Sequence, residues 1–192
     1  MARRFSHRRS TRVSAATPWQ LLPALSLPLA ILLGACPARA ADTVVAGDLA
    51  WAKPMNTNGV DPGWGFDVRL GQRLNGELVV VTGEFAAGYY NLGGDLDPTV
   101  YRGMVGARLG IGAILRPYAF GHLGVGRATL TAPANSQLDR TAFAYDLGLG
   151  IDFTLLPLVT LGAYGGYNYV GPKNQADPLK WSTWGLNVEL VF

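Results

Sequence analysis

From about residue 44 onward, apolar side chains alternate with polar or small ones in eight segments of roughly ten residues. In the clearest segment, residues 63–73, bulky apolar side chains fill the even positions from Trp64 to Leu70. The odd positions between them include Asp67 and Arg69. A period of two is typical of β-strands whose two faces meet different surroundings. Clusters of Gly, Pro, Asn and Asp separate the segments and predict turns.

The eight segments predict one antiparallel β-barrel over residues 41–192. The predicted strands cover residues 44–51, 63–73, 77–90, 100–112, 117–130, 141–153, 158–170 and 179–192. Longer polar connections are predicted at 53–63, 91–99, 131–141 and 171–178, and short ones at 74–76, 113–117 and 154–158. Alternating short and long connections, with an even number of strands, are typical of outer-membrane barrels, in which the short turns face the periplasm.

The polar faces carry charged side chains that would point into such a barrel. The predicted interior charges are Asp67, Arg69, Glu84, Arg102, Arg108, Arg127, Asp146, Asp152 and Glu189. One segment, residues 117–130, mixes its faces: if Arg127 points inward, parity places His122 towards lipid. A bulge at a glycine would remove that conflict.

Aromatic residues cluster towards the long-connection ends of the predicted strands. They are Trp64, Tyr89, Tyr90, Tyr101, Phe143, Tyr145, Tyr167, Tyr169, Trp181 and Trp184. This position predicts an aromatic girdle at the outer membrane interface.

Residues 1–40 have the three parts of a secretory signal peptide. An arginine-rich region runs from Met1 to about Pro18, and an apolar run follows from Leu21 to Gly34. The small residues Ala38 and Ala40 precede the predicted cut. That apolar run is shorter than the roughly 20 residues of a transmembrane helix. Leu33–Cys36 also resembles a lipoprotein signal, so cleavage before Cys36 and its lipidation stay open as an alternative.

The basic character of the chain belongs to the leader. Of 16 Lys and Arg residues six lie within residues 1–40, together with none of the 13 Asp and Glu residues. The remainder therefore holds ten basic and 13 acidic side chains. A nucleic-acid partner is not expected, because its basic footprint is missing from the predicted barrel.

Three stretches resemble the small outer-membrane β-barrel family, which includes OmpA-type barrel domains and opacity-type surface proteins. They are AYDLGLGIDF, RPYAFGHLGVG and the final strand WGLNVELVF. The resemblance covers about residues 44–192. It implies outer-membrane lipid and the barrel assembly machinery as partners, and a C-terminal assembly signal formed by Leu186, Val188, Leu190 and Phe192.

Function is then expected to be structural or surface-interacting, with four outer loops as the contact surface and an extracellular partner that the sequence does not identify. The interior of an eight-stranded barrel is just wide enough for side chains to fill. We therefore expect the interior charges to pair and close it, and a narrow solute pore is the alternative.

Enzymatic and metal chemistry find little support. The predicted barrel has one histidine, His122, and its serines, Ser136 and Ser182, form no His-x-Ser motif. The acidic turn from Gly94 to Asp97 lacks the ligands of a calcium loop. We expect no catalytic, cofactor or metal site. A soluble lipocalin-like barrel, with its aliphatic face turned inward around a ligand, is a further alternative.

Overall fold

A computed structural model describes residues 41–55, 59–76, 78–132, 136–171 and 178–192; for residues 130–140 we describe the backbone only. The predicted signal peptide and Cys36 lie outside these residues. The eight strands are β1 (Asp42–Pro54), β2 (Asp61–Asn75), β3 (Val79–Gly93), β4 (Thr99–Ile111), β5 (Leu115–Ala132), β6 (Ser136–Leu156), β7 (Val159–Gly171) and β8 (Leu179–Val191).

The strands form one closed antiparallel barrel in sequential order, as the alternating pattern predicts. Closure is made by β1 and β8, which pair from Val44–Val191 to Pro54–Trp181. Beyond this pairing, the backbone N–H groups of Thr43 and Phe192 each donate to the other residue's carbonyl at 2.9 Å. A closed ring leaves no open sheet edge, which is the condition for crossing a membrane with strands.

The aliphatic faces of the strands point outward. Leu49, Leu149 and Leu186 are 60%, 68% and 68% exposed, whereas the alternate positions point into the barrel and are buried. This arrangement overturns the lipocalin-like alternative, which requires the aliphatic face inside. Among the described residues, no helix has the length and apolar character needed to span a bilayer.

One of the predicted long connections is not a loop in the structure. The predicted loop at 131–141 is wrong, because β5 and β6 continue as a two-stranded ribbon that pairs as far as Ala132 and Ser136. The Ser, Asn and Asp residues of this stretch suggested a loop. Cross-strand hydrogen bonds satisfy the backbone there, and tertiary pairing outweighs local turn preference.

An apolar cluster fills the interior towards the long-connection end. It consists of Ala50, Ala52, Val60, Tyr90, Leu92, Val100, Met104, Ala128, Ala142, Ala144, Val170 and Trp181. Tyr90 and Trp181 are completely buried there, with ring centroids 5.5 Å apart. The girdle prediction is therefore wrong for these two aromatic residues, which occupy inward positions of their strands.

Strand β5 has no bulge, so its side chains alternate strictly between the lumen and the outer surface. His122 is buried inside the barrel, and Arg127 is exposed on the outer surface. The prediction that Arg127 points inward is therefore wrong. Its cross-strand neighbours are Tyr101 and Thr141, near the outer end. The inward positions next to it, Gly126 and Ala128, lie against side chains of the apolar cluster.

Candidate functional site

The barrel interior holds twelve buried Asp, Glu, Arg and His side chains in the described residues. Eight are predicted interior charges, namely Asp67, Arg69, Glu84, Arg102, Arg108, Asp146, Asp152 and Glu189. The other four are Asp48, Arg73, Arg116 and His122. Contacts within 4 Å join all twelve into one network, because each strand presents every second side chain to the same narrow lumen.

Arg102 organises the part of the network nearest the apolar cluster. Its guanidinium contacts both carboxylate oxygens of Asp67, with Nη2 2.8 Å from Oδ2 and Nε 3.1 Å from Oδ1. It also donates to the Tyr90 hydroxyl at 2.7 Å and lies 3.3 Å from Asp146. A further hydrogen bond joins it to the side-chain oxygen of Asn168. A forked contact of this kind gives a guanidinium both geometric specificity and strength.

The middle of the network is formed by Arg69 and His122. Arg69 donates from Nε and Nη2 to the two oxygens of Asp48, at 2.7 and 2.9 Å, and from Nη1 to Glu84 at 2.8 Å. His122 lies between two carboxylates, with Nδ1 2.6 Å from Asp146 and Nε2 2.9 Å from Glu84. Ionised carboxylates only accept hydrogen bonds. Both ring nitrogens therefore carry hydrogen when both carboxylates are ionised.

The end nearest the short turns carries three arginines around two carboxylates. Arg108 and Arg116 both contact Asp152, at 3.4 and 3.2 Å, and both contact Glu189, at 3.5 Å each. Arg73 also pairs with Glu189. Each carboxylate is shared by more than one cation, so neither is left as an isolated buried charge, which would be strongly unfavourable.

The charges of the interior balance when His122 is protonated. The buried set contains five guanidinium groups and six carboxyl groups, and the imidazolium supplies the sixth cation. The imidazolium would lie directly between two of the six carboxylates, those of Asp146 and Glu84. The arrangement can hold the lumen closed and order the surrounding strands.

A small cavity lies among the side chains of the network. Its volume is about 20 Å³, and Arg69, Arg102, His122, Tyr164 and Asn168 are among its lining residues. A single water molecule needs about 10–15 Å³. The cavity accordingly has room for a water molecule and is too small for an organic ligand.

Among the side chains that the structure describes, no serine contacts His122. Both of its ring nitrogens are occupied by carboxylates, and Ser182 instead lies on the outer face of β8, where its hydroxyl donates to the Lys53 carbonyl at 3.4 Å. The side chain of Ser136 lies outside the described residues. Within the described ranges, no group of three His, Cys, Asp or Glu side chains has the arrangement needed to hold a metal ion.

Sequence reasoning missed four members of the network. Asp48 and Arg73 already lay on the polar parity of their segments, so that signal could have found them. Arg116 was assigned to a turn, although the strand begins at Leu115. The direction of the His122 side chain was uncertain because Arg127, on the same strand, has the opposite parity. Arg127 was assumed to point inward because it is charged, and that assumption fails near the membrane interface.

The residues of the predicted assembly signal lie on one face of the last strand. Leu186, Val188, Leu190 and Phe192 are all exposed on the outer surface, between 40% and 68%. Their assembly role stays a prediction. The predicted lipidation site Cys36 and the signal cut lie outside the described residues.

Solved structures of several small barrels are similar to this chain. Neisserial surface protein A matches with a TM-score of 0.63 and 22% identity, covering 78% of this chain and 97% of that chain. Ail, the attachment invasion locus protein of Yersinia pestis, matches with a TM-score of 0.55 and 19% identity, covering 80% and 100%. The outer membrane enzyme PagL matches with a TM-score of 0.53 and 14% identity, covering 76% and 98%. These similarities show a shared fold.

No curated protein sequence gives a significant match to the chain. A family model described as the outer membrane protein beta-barrel domain matches residues 26–192. The match spans most of the chain and agrees with the closed eight-stranded barrel and its outward aliphatic faces. The chain therefore belongs to the outer membrane protein β-barrel domain family, whose place is the outer membrane of Gram-negative bacteria.

Proposed function

We propose that this protein is a non-enzymatic, non-conducting barrel that acts through the surface at its outer end. The observation that carries the proposal is the single network of twelve buried side chains, which crosses the lumen beneath a buried apolar cluster. Ions would have to separate several short ion pairs, such as Arg69–Glu84 at 2.8 Å, in order to pass. Small barrels of this size are filled by their side chains.

The alternative of a narrow pore has a direct test. Purified barrel would be inserted into planar bilayers and its conductance recorded beside that of a larger porin. We expect no stable channel events above the bare bilayer. Reproducible conductance that changes with the charge-removing substitution Glu84→Gln would refute the closed interior, because Glu84 lies completely buried in the middle of the network.

The proposed surface of action includes the β5–β6 ribbon. Pairing of β6 with β7 starts only at Phe143, whereas β6 already pairs with β5 from Ser136. The residues of β6 before Phe143 therefore form a ribbon with β5 alone. Structures that project from a rigid scaffold are common sites of binding. Neisserial surface protein A and the attachment invasion protein Ail share the fold and are named for surface and attachment roles, which supports the proposal by analogy.

Ribbon shortening tests this surface without disturbing the barrel. Thr129 and Asp139 are cross-strand partners, so residues 130–138 can be replaced by an Asn-Gly turn that keeps the register. We expect the shortened protein to remain folded. It should lose binding, relative to wild type, on an array of glycans and extracellular-matrix proteins. Equal binding by the two proteins would locate the contact surface elsewhere or exclude this role.

The absence of catalysis is also a proposal, because the enzyme PagL shares the fold and a fold does not determine chemistry. It is supported by the environment of His122, whose two nitrogens face Asp146 and Glu84 inside the barrel. Incubation with lipopolysaccharide and phospholipid should release no fatty acid. Hydrolysis that disappears in His122→Ala would overturn this part of the proposal.

A further inference from the structure

A basic and hydroxylated patch lies on the outer surface where β6, β7, β8 and β1 meet. We name it the Lys53–Lys180 patch, and it consists of Lys53, Lys180, Ser182, Tyr145, Tyr167 and Tyr169. All six lie on outward positions of their strands. Lys53 is exposed, and the other five are half-buried.

Cross-strand register brings these side chains together in two adjacent rows. In one row, Ser182 pairs with Lys53 on one side and with Tyr167 on the other. In the next row, Lys180 pairs with Tyr169, which pairs with Tyr145. The rings of Tyr145 and Tyr169 are stacked with centroids 4.8 Å apart. Lys53 and Lys180 are therefore diagonal neighbours, about 7–8 Å apart at the backbone.

The patch has no anion of its own in the described structure. No ion pair joins Lys53 or Lys180 to a carboxylate within the residues described, although every buried arginine of the barrel has such a pair. Two ammonium groups held on adjacent strands repel each other. An anion placed between them would relieve that repulsion and accept hydrogen bonds from the neighbouring hydroxyl groups.

The level of the patch indicates where that anion comes from. Trp51 and Trp184, which are cross-strand partners with exposed rings, lie two residues below Lys53 and Ser182. Two strand residues span about 7 Å. Tryptophan rings mark the membrane interface, and lysine side chains extend from there into the headgroup layer. The lysines of the patch are therefore at the height of lipid phosphates.

We propose that the Lys53–Lys180 patch binds the phosphate of an outer-leaflet lipid headgroup. The two ammonium groups contact the phosphate oxygens, and tyrosine hydroxyl groups of the patch donate further hydrogen bonds. The acyl chains lie against Trp51, Trp184 and the apolar surface below. This inference does not depend on whether the barrel interior conducts.

The test compares phosphatidic acid with diacylglycerol, two lipids that differ only in the phosphate. Native mass spectrometry of the refolded barrel in neutral detergent would measure the Kd of each lipid. We expect wild type to prefer phosphatidic acid. Lys53→Gln or Lys180→Gln should each reduce that preference about fivefold, and the double variant about thirtyfold, as expected for lysines near an anionic lipid surface.

The matched control is Arg127→Gln, which removes one outward-facing cation from β5, a strand that carries no residue of the patch. It should keep the preference of wild type. The inference is overturned if the double variant keeps its preference, or if Arg127→Gln loses as much as Lys180→Gln, since the effect would then be diffuse electrostatics. It is also overturned if inorganic phosphate binds as tightly as phosphatidic acid, which would identify a free anion as the ligand.

Discussion

Replacement of Arg102 by methionine should be among the most destabilising single changes in the barrel. Methionine is of similar length but leaves Asp67 with the Tyr90 hydroxyl as its remaining side-chain hydrogen-bond donor in the described network. Asp146 is less affected, because it keeps His122 at 2.6 Å. Breaking a buried pair from one side typically costs about 3–5 kcal/mol. We expect the free energy of unfolding to fall by that amount.

The assay is urea-dependent unfolding in lipid vesicles, followed by tryptophan fluorescence and by the mobility difference between unheated and boiled samples in gels. Arg127→Met is the matched control, because the same residue type is replaced on the outer surface of the same barrel. It should change stability by no more than about 0.5 kcal/mol. Equal effects of the two substitutions would refute the idea that ion pairing in the lumen supports the fold.

A double variant distinguishes two contributions to this loss of stability. One is the loss of the Arg102–Asp67 ion pair, and the other is the unpaired buried charge that is left on Asp67. In Arg102→Met combined with Asp67→Asn, no unpaired carboxylate remains at position 67, so the loss should be smaller than in Arg102→Met alone. Coupling between residues in contact is commonly about 0.5–3 kcal/mol. A double variant as unstable as the sum of the single variants would show that the two side chains do not interact energetically.

The remaining predictions concern the outer face, the last strand and the close approach of strands. Leu149→Arg, on a residue that is 68% exposed to lipid, should cost about 2–4 kcal/mol in the same vesicle titration, and a neutral result would mean that the faces are assigned backwards. Deletion of Phe192, whose backbone pairs with Thr43 at 2.9 Å, should slow insertion in cells, measured by pulse-chase of the heat-modifiable form; insertion at the wild-type rate would count against an assembly signal. Gly106→Ala places a Cβ 2.1 Å from a backbone oxygen and should lower the free energy of unfolding by about 1–3 kcal/mol. Gly103→Ala, on the same strand, is the control, because its Cβ meets nothing within 4 Å. Similar stabilities of the two variants would contradict this packing.

The sequence alone determined the number of strands, their order along the chain and the direction of most side chains. A strand alternates its side chains strictly, so the run from Trp64 to Leu70 assigns one face to lipid and places Asp67 and Arg69 on the other. The same logic located eight of the nine predicted charges inside the barrel. These properties are local, because they follow from the period of the backbone and from which surroundings each face can tolerate.

Tertiary structure decided what the pattern left open. Residue type misled at Arg127, since an arginine at the membrane interface can face outward, and only the unbroken register of β5 shows that His122 takes the inward position. Tyr90 and Trp181 belong to the interior because their strands bring them together across the lumen. The pairing of side chains within the charge network could likewise not be predicted from the sequence. Eight strands share one lumen, which brings together side chains far apart in sequence, such as Arg102 and Asn168. Sequence period sets which way a side chain points, whereas barrel closure and strand register set what it meets there.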